Sequence, residues 1–312
     1  MLGIAIINYN KYEKTTECIK SIFKTAKAEY KIYLLDNASQ NESLEALQRE
    51  YKNEPRVKLF SSKTNLGYAN GNNLLLDEIK KDGCDYTLIS NNDIIFENGS
   101  IDLLLEKIQN EDYLLIEPFI ENIDGTTQIC VKKSRPSYKE YMLFSTYLHN
   151  FVPKNKKRDF ALKQQPKTAS DVYWASGACF IADMKKFEKI GFFDKNTFLY
   201  FEEYIISEKA VKNGLKIGFE PNAKVIHFHG ASTGGAASLF TRRANLESEM
   251  YFFTHYWVLN GLQLNFLRQI RCLEVLFTFT KNKKLKDALT YIGQSKKIMK
   301  DSKEKTNENQ NL

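Results

Sequence analysis

The chain is 312 residues long, 43% hydrophobic and 27% charged, with a formal net charge of +7. Such a composition can bury a core in one large domain or two modest ones. Five dispersed cysteines without a CxxC pair argue against a disulfide framework or a zinc site and for a reducing compartment.

In chain order, Met1-Leu2-Gly3-Ile4-Ala5-Ile6-Ile7 begins a strand at once and lacks the features of a signal peptide. No run of about 18 apolar residues occurs, so no bilayer-spanning helix is expected. The expectation is a cytoplasmic protein, with room for peripheral attachment to the inner face of the plasma membrane. Gly3 to Ile7, Lys31 to Leu35, Val57 to Phe60 and Tyr86 to Ile89 read as buried strands. Between them, Cys18, Ile19, Ile22 and Phe23 share one helical face, as do Leu44, Leu47 and Tyr51, then Leu74, Leu75 and Ile79. This alternation predicts an α/β sheet of parallel strands with crossover helices.

A further helix is expected over Ile101 to Ile108, capped by Ser100. Residues 122–170 contain Arg135-Pro136, Pro153, the basic stretch Lys154 to Arg158, and Pro166. They read as an irregular insert or flap with one helix near Tyr138 to Leu148. Regularity returns with Val172 to Ala182 and a short helix from Met184 to Ile190. A helix from Phe201 to Lys212 is ended by Gly214, and strands Lys216 to Phe219 and Lys224 to Ile226 follow. The chain then turns helical from Ala244 to Lys300, leaving 301–312 as a tail expected to be disordered. The domain reading is 1–243 catalytic, 244–300 helical and 301–312 tail.

The polar residues worth weighing lie at strand ends, where ligands of open parallel sheets bind. They are Asn8-Tyr9-Asn10, Asp36-Asn37-Ala38-Ser39 and Asn91-Asn92-Asp93. Taken singly each suits a helix cap, with Ser39 or Asn41 good examples; their conjunction favours a cleft. Asn65-Leu66-Gly67 through Asn73 is a glycine-containing turn opening into a helix, which offers free backbone N–H groups. It matches neither GxGxxG nor a Walker A loop. Asp93 is a candidate ligand for a hard cation shared with substrate phosphates. In Phe198 to Glu203 an apolar run leads into the paired acids Glu202 and Glu203, which suit either the helix dipole or general-base work. His227 and His229 alternate along a strand end, a ligand geometry that is more often structural.

In order, these pieces resemble the inverting family 2 glycosyltransferases of the GT-A fold, especially the rhamnosyltransferase-like branch of bacterial surface-polysaccharide enzymes. The resemblance spans about residues 3–245. It rests on Ile6 to Asn10, Asp36 to Ser39, Asn65 to Gly67, Asn91 to Asp93, Ser176 to Cys179, Gly191 to Asp194, Phe198 to Glu203 and His227 to Ser232. It implies a Rossmann-like, mostly parallel central sheet flanked by helices, with a helical C-terminal extension. By the same resemblance, Asn8, Tyr9, Asn10 and Asp36 would hold the donor's base and ribose, while Asn65 and Gly67 help orient the nucleotide. Asn91, Asn92 and Asp93 would face the nucleotide sugar. Asp93 and His227 would ligate Mg²⁺ or Mn²⁺, Glu203 would be the base with Glu202 its rival, and Gly177 would line the acceptor side.

Two positions depart from the family pattern. Asn91 replaces an acid in the metal motif, and Ile205 replaces the later acid of Glu-Asp-x-Asp, here Glu202-Glu203-Tyr204-Ile205. The expected reaction is sugar transfer from a nucleoside diphosphate sugar, dTDP-L-rhamnose or a UDP-sugar, to a lipid-linked or polysaccharide hydroxyl. The alternative is a catalytically silent sugar- or nucleotide-binding subunit of the same fold.

From Arg268 to Lys300 nine Lys or Arg face two acids. This basic, aromatic-flanked stretch reads equally as a helical cap or subunit contact and as an interfacial helix at an anionic membrane. Without a recognised nucleic-acid-binding motif, no nucleic-acid partner is expected; the sequence sets no oligomeric state.

Overall fold

A computed structural model describes residues 1–128, 130–164, 166–228 and 238–305. Strands β1 (Leu2–Asn8), β2 (Tyr30–Asp36), β3 (Val57–Ser61) and β4 (Tyr86–Asn91) extend the four expected runs by a residue or two. They pair in parallel in the order β3-β2-β1-β4. Helices α1 (Tyr12–Thr25), α2 (Ser43–Tyr51) and α3 (Gly67–Lys81) make the crossovers. Leu2, Ile4, Ala5 and Ile6 are all fully buried, the continuous apolar pattern of a strand covered on both faces.

The second half of the sheet is mixed. It contains β5 (Ile94–Phe96), β6 (Leu115–Asn122), β8 (Ser170–Val172), β10 (Cys179–Asp183) and β11 (Ile217–His227). Strand β10 runs antiparallel between β4 and β6, while β11 is parallel to β6 and antiparallel to β5 and β8. Among the described residues this gives one nine-stranded sheet plus a small ribbon of β7 (Val131–Lys132) and β9 (Trp174–Ala175).

Several local expectations are corrected. Ser100 begins α4 (Ser100–Asn110) without capping it; left-handed Gly99 is the cap residue, and the Ser100 hydroxyl is bound to the backbone of Lys224. The two strands expected at 216–226 are one strand, β11, with a register shift between Glu220 and Lys224. The segment 122–170 holds more order than one helix: α5 (Tyr138–Ser145), a 3₁₀ turn at Tyr147–Phe151, and α6 (Lys154–Gln164), which absorbs the basic stretch. Asn41 does supply a helix-start bond, to the Ser43 N–H, whereas Ser39 is turned into the strand ends.

Helix α7 (Met184–Lys189) is capped by Asp183, and α8 (Glu202–Lys212) ends at Gly214, whose φ is +65°. The N–H groups of Gly214 and Leu215 return to Val211 and Ala210, a Schellman closure. Helices α9 (Leu239–His255), α10 (Gly261–Lys281) and α11 (Leu285–Glu304) form the C-terminal region. The tail expected from residue 301 is corrected over 301–305, where α11 runs on to Glu304, Ser302 is buried against Thr254, and Lys305 Nζ donates to the Asn196 carbonyl. Residues 306–312 lie outside the described residues.

The C-terminal helices share a second apolar core with α5 and α8, built on Tyr141, Phe201, Tyr204, Phe252 and Phe253. Buried Glu249 accepts from Arg271 and from the Tyr141 hydroxyl, tying α9, α10 and α5 together. Asp194 accepts from the hydroxyls of Tyr251 and Tyr256, so the acid of Gly191 to Asp194 anchors α9.

Candidate active site

Asn8 and Asp36 end adjacent parallel strands in direct register. The Asn8 amide donates to Asp36 Oδ2 at 2.8 Å, and Ser39 donates to the same carboxylate through its N–H and its hydroxyl. Thr15 donates to Asn8 Oδ1 and accepts from Asn92 Nδ2, so one chain of hydrogen bonds runs from the end of β2 to the turn after β4. Asn8 and Asp36 are buried, whereas Tyr9 and Asn10 are partly open. Asn10 and Ala38 adopt left-handed φ values of 58° and 64° as the chain leaves the sheet.

The Asn65 loop is tied to the same edge. Asn37 Nδ2 donates to Asn65 Oδ1, and Asn37 Oδ1 accepts from the Leu66 N–H. Gly67 has φ +76°, and a Cβ there would lie 2.2 Å from the Phe198 carbonyl. Only glycine permits both the backbone angle and that approach. Tyr68 then accepts no compromise: its N–H donates to Phe198 O and its hydroxyl to the Gly177 carbonyl.

Beyond Asn91, whose N–H donates to Ala178 O, the turn presents Asp93. Asp93 Oδ1 lies 3.1 Å from His227 Nε2, and both side chains are more than nine-tenths buried. His227 Nδ1 lies 2.9 Å from Gln128 Oε1. With a metal ion bound, the Nδ1–H would donate to that oxygen and Nε2 would be free to ligate. Two octahedral ligands about 2.1 Å from Mg²⁺ sit about 3 Å apart, so this oxygen–nitrogen pair fits two positions of one ion. Among the described residues no third His, Cys, Asp or Glu joins them. His229 and residues 230–232, part of the expected motif, lie outside the described residues.

Tyr200 and Phe201 both take left-handed φ, 75° and 68°, immediately before Glu202 and Glu203. Two consecutive non-glycine residues there are strained, a feature concentrated at functional sites. Glu202 is buried, with Oε1 lacking a partner; burial and the neighbouring Glu203 push its carboxyl up to about 8. Burial raises Glu203 as well, with the Lys132 ammonium acting in the opposite sense. Glu203 lines a small cavity with Gly177, Ala175 and Phe193. The expected base and the expected acceptor-side glycine are thus brought together.

Two neighbours were missed in the sequence. Glu117, on β6, is fully buried; it accepts from Ser176 Oγ at 2.7 Å, and burial raises it well above the usual carboxyl range. A lone acid inside the apolar run Leu115 to Ile120 was the available signal. Lys132 donates to the Tyr204 hydroxyl and lies 4.9 and 4.6 Å from the ring centroids of Trp174 and Tyr204. Burial lowers it to about 8, against the pull of Glu203. Its place inside an apparently irregular segment gave no local signal.

The glycosyl transferase family 2 profile matches residues 3–191, and the chain belongs to that family. It is 25% identical over 245 residues to an N-acetylglucosaminyl-diphospho-decaprenol L-rhamnosyltransferase of Mycobacterium tuberculosis, covering 75% of this chain and 78% of the relative. Among solved structures it is similar to S. aureus TarS 1-349 in complex with UDP-GlcNAc, with TM-score 0.58 and 13% identity over 97% of this chain and 89% of that one. It is also similar to GalNAc-T7 with UDP, GalNAc and Mn²⁺, with TM-score 0.59 and 15% identity over 90% of this chain. The chain spans 56% of the length of that protein. The fold is accordingly the GT-A arrangement, a mostly parallel α/β sheet flanked by helices, and the chain is a glycosyltransferase.

Proposed function

We propose that the chain transfers a sugar, with inversion, from dTDP-L-rhamnose or a UDP-sugar to a hydroxyl of a lipid-linked or polysaccharide acceptor. The setting would be bacterial cell-surface glycan synthesis (O-antigen or capsule), in the cytoplasm and at the membrane surface. The observation carrying this reading is the buried Asp93–His227 pair at the sheet edge where β1, β2 and β4 end. The acceptor named for the mycobacterial relative, N-acetylglucosaminyl-diphospho-decaprenol, supports the lipid-linked class.

Asp93 and His227 would hold Mg²⁺ or Mn²⁺, which when bound stabilises charge growing on the departing diphosphate. Tyr9, Asn10, Asn65 and Gly67 lie where a nucleotide would rest. Asn8 positions Asp36, which meets a base edge by exchanging one of its internal bonds. Asn91 and Asn92 set the turn that presents Asp93.

Glu203 takes the acceptor hydroxyl proton as that oxygen attacks the anomeric carbon. The bond to the diphosphate oxygen breaks on the opposite face, and its electron pair leaves with the diphosphate. Burial and the neighbouring Glu203 favour the protonated form of Glu202, the rival base.

A screen of nucleoside diphosphate sugars for nucleoside diphosphate release, with Mg²⁺, Mn²⁺ or chelator, tests the reading. One donor should turn over with metal and an acceptor, giving a product of inverted anomeric configuration. Tight donor binding without transfer under every condition would instead identify a silent binding subunit.

A further inference from the structure

Helix α10 contradicts the usual rule for a surface helix. Its inner face is buried through Leu264, Leu267, Ile270, Val275 and Phe279. From Leu262 to Thr280 its exposed positions are Leu262, Phe266, Gln269, Leu273, Phe277 and Thr280, and none is charged. Leu262, Phe266, Leu273 and Phe277 are 84, 47, 46 and 54% exposed. Their spacing of i, i+4, i+11 and i+15 places them in one stripe along the helix. An outward face is normally charged; four large apolar side chains in a line mark a contact surface.

The stripe continues onto a neighbouring element. Tyr147 stacks on Phe277 with ring centroids 5.3 Å apart, and Phe151, 76% exposed, packs edge-on to Tyr147. Positive charge gathers at this same end. Lys281, Lys283, Lys284 and Lys286 are exposed where α10 passes through a turn into α11, and Lys154 and Lys156 open α6 just after Phe151.

We infer that this face, the α10 stripe with its lysine-rich end, docks on an anionic lipid bilayer. Apolar side chains enter the interface while lysines meet phosphate headgroups, the charge and shape of a peripheral membrane site. The inference deepens the proposed function and rests on it for its purpose: a lipid-linked acceptor would be met at the bilayer surface.

The test is flotation of the full chain with vesicles of phosphatidylcholine alone, or of phosphatidylcholine and phosphatidylglycerol in equal parts. Wild type should float with the anionic vesicles and stay behind with the neutral ones. The double variant Phe266→Asp, Leu273→Asp and the triple variant Lys281→Glu, Lys283→Glu, Lys284→Glu should each bind about tenfold more weakly or worse. Thermal unfolding and nucleoside diphosphate release without lipid should match wild type in both variants.

Failure of wild type to bind anionic vesicles, or undiminished binding by the double variant, overturns the inference. So does a concentration-dependent dimer, lost in the double variant, with no vesicle binding, since the stripe is then a subunit contact. Vesicle binding as expected, together with no donor turnover by any variant, would leave the surface standing and remove the transfer reading instead.

Discussion

Glu202 and Glu203 follow two strained residues, and burial acts on both carboxyls. Glu202, raised from 4.5 to about 8, holds a proton in the folded chain that the unfolded chain gives up earlier. Its stability contribution is therefore full below pH 4.5 and is lost as pH rises toward about 8. Melting temperature should fall across that window in wild type and fall less steeply in Glu202→Gln; equal slopes would contradict the assignment.

At Glu203 the expected readout is kinetic. Glu203→Gln should lose roughly 10²- to 10⁴-fold in kcat with donor binding retained. Lys132→Met removes the ammonium that favours the ionised base, so the acid limb of kcat/KM should move to higher pH. Lys132→Arg should restore it, because the charge returns.

Among the elements, the loop opening α3 and the α9–α10 pair make the clearest demands on their side chains. Gly67→Ala meets both the +76° φ and the Phe198 carbonyl, so urea denaturation should show a loss of about 2 kcal/mol or more. In α10, Arg271→Met strands the fully buried Glu249 carboxylate. A loss of about 3–5 kcal/mol is expected, largely recovered when Glu249→Leu is added.

The parallel strands and their crossover helices were legible because periodicity is a local property of a run such as Ile4 to Ile7. Asp36, Asp93 and the Glu202-Glu203 pair were legible for the same reason, each ending or following an apolar run. Lys132 was hidden because its importance arises only when β7 and α8 come together in space, and Glu117 left only the faint mark of one acid in an apolar run. The fusion of 216–226 into β11 was hidden by a bulge, which breaks the alternation without ending the strand.

At the scale of the whole molecule, the strand ends gather the polar groups, while the C-terminal helices pack against Phe201 and Tyr204 beside them and present an apolar stripe outward. The family and the GT-A fold are set by the match over residues 3–191 and by the solved neighbours. What this particular chain adds is economy at the proposed cation site: Asn91 leaves Asp93 as the only carboxylate of its motif, with His227 beside it.

Titration of UDP and dTDP into wild type and Asp93→Ala, with Mn²⁺ and with chelator, addresses that pair most directly. A cation site at Asp93 and His227 predicts that Mn²⁺ tightens nucleotide binding about tenfold or more in wild type and has no effect in Asp93→Ala. Equal tightening by Mn²⁺ in both proteins would contradict it.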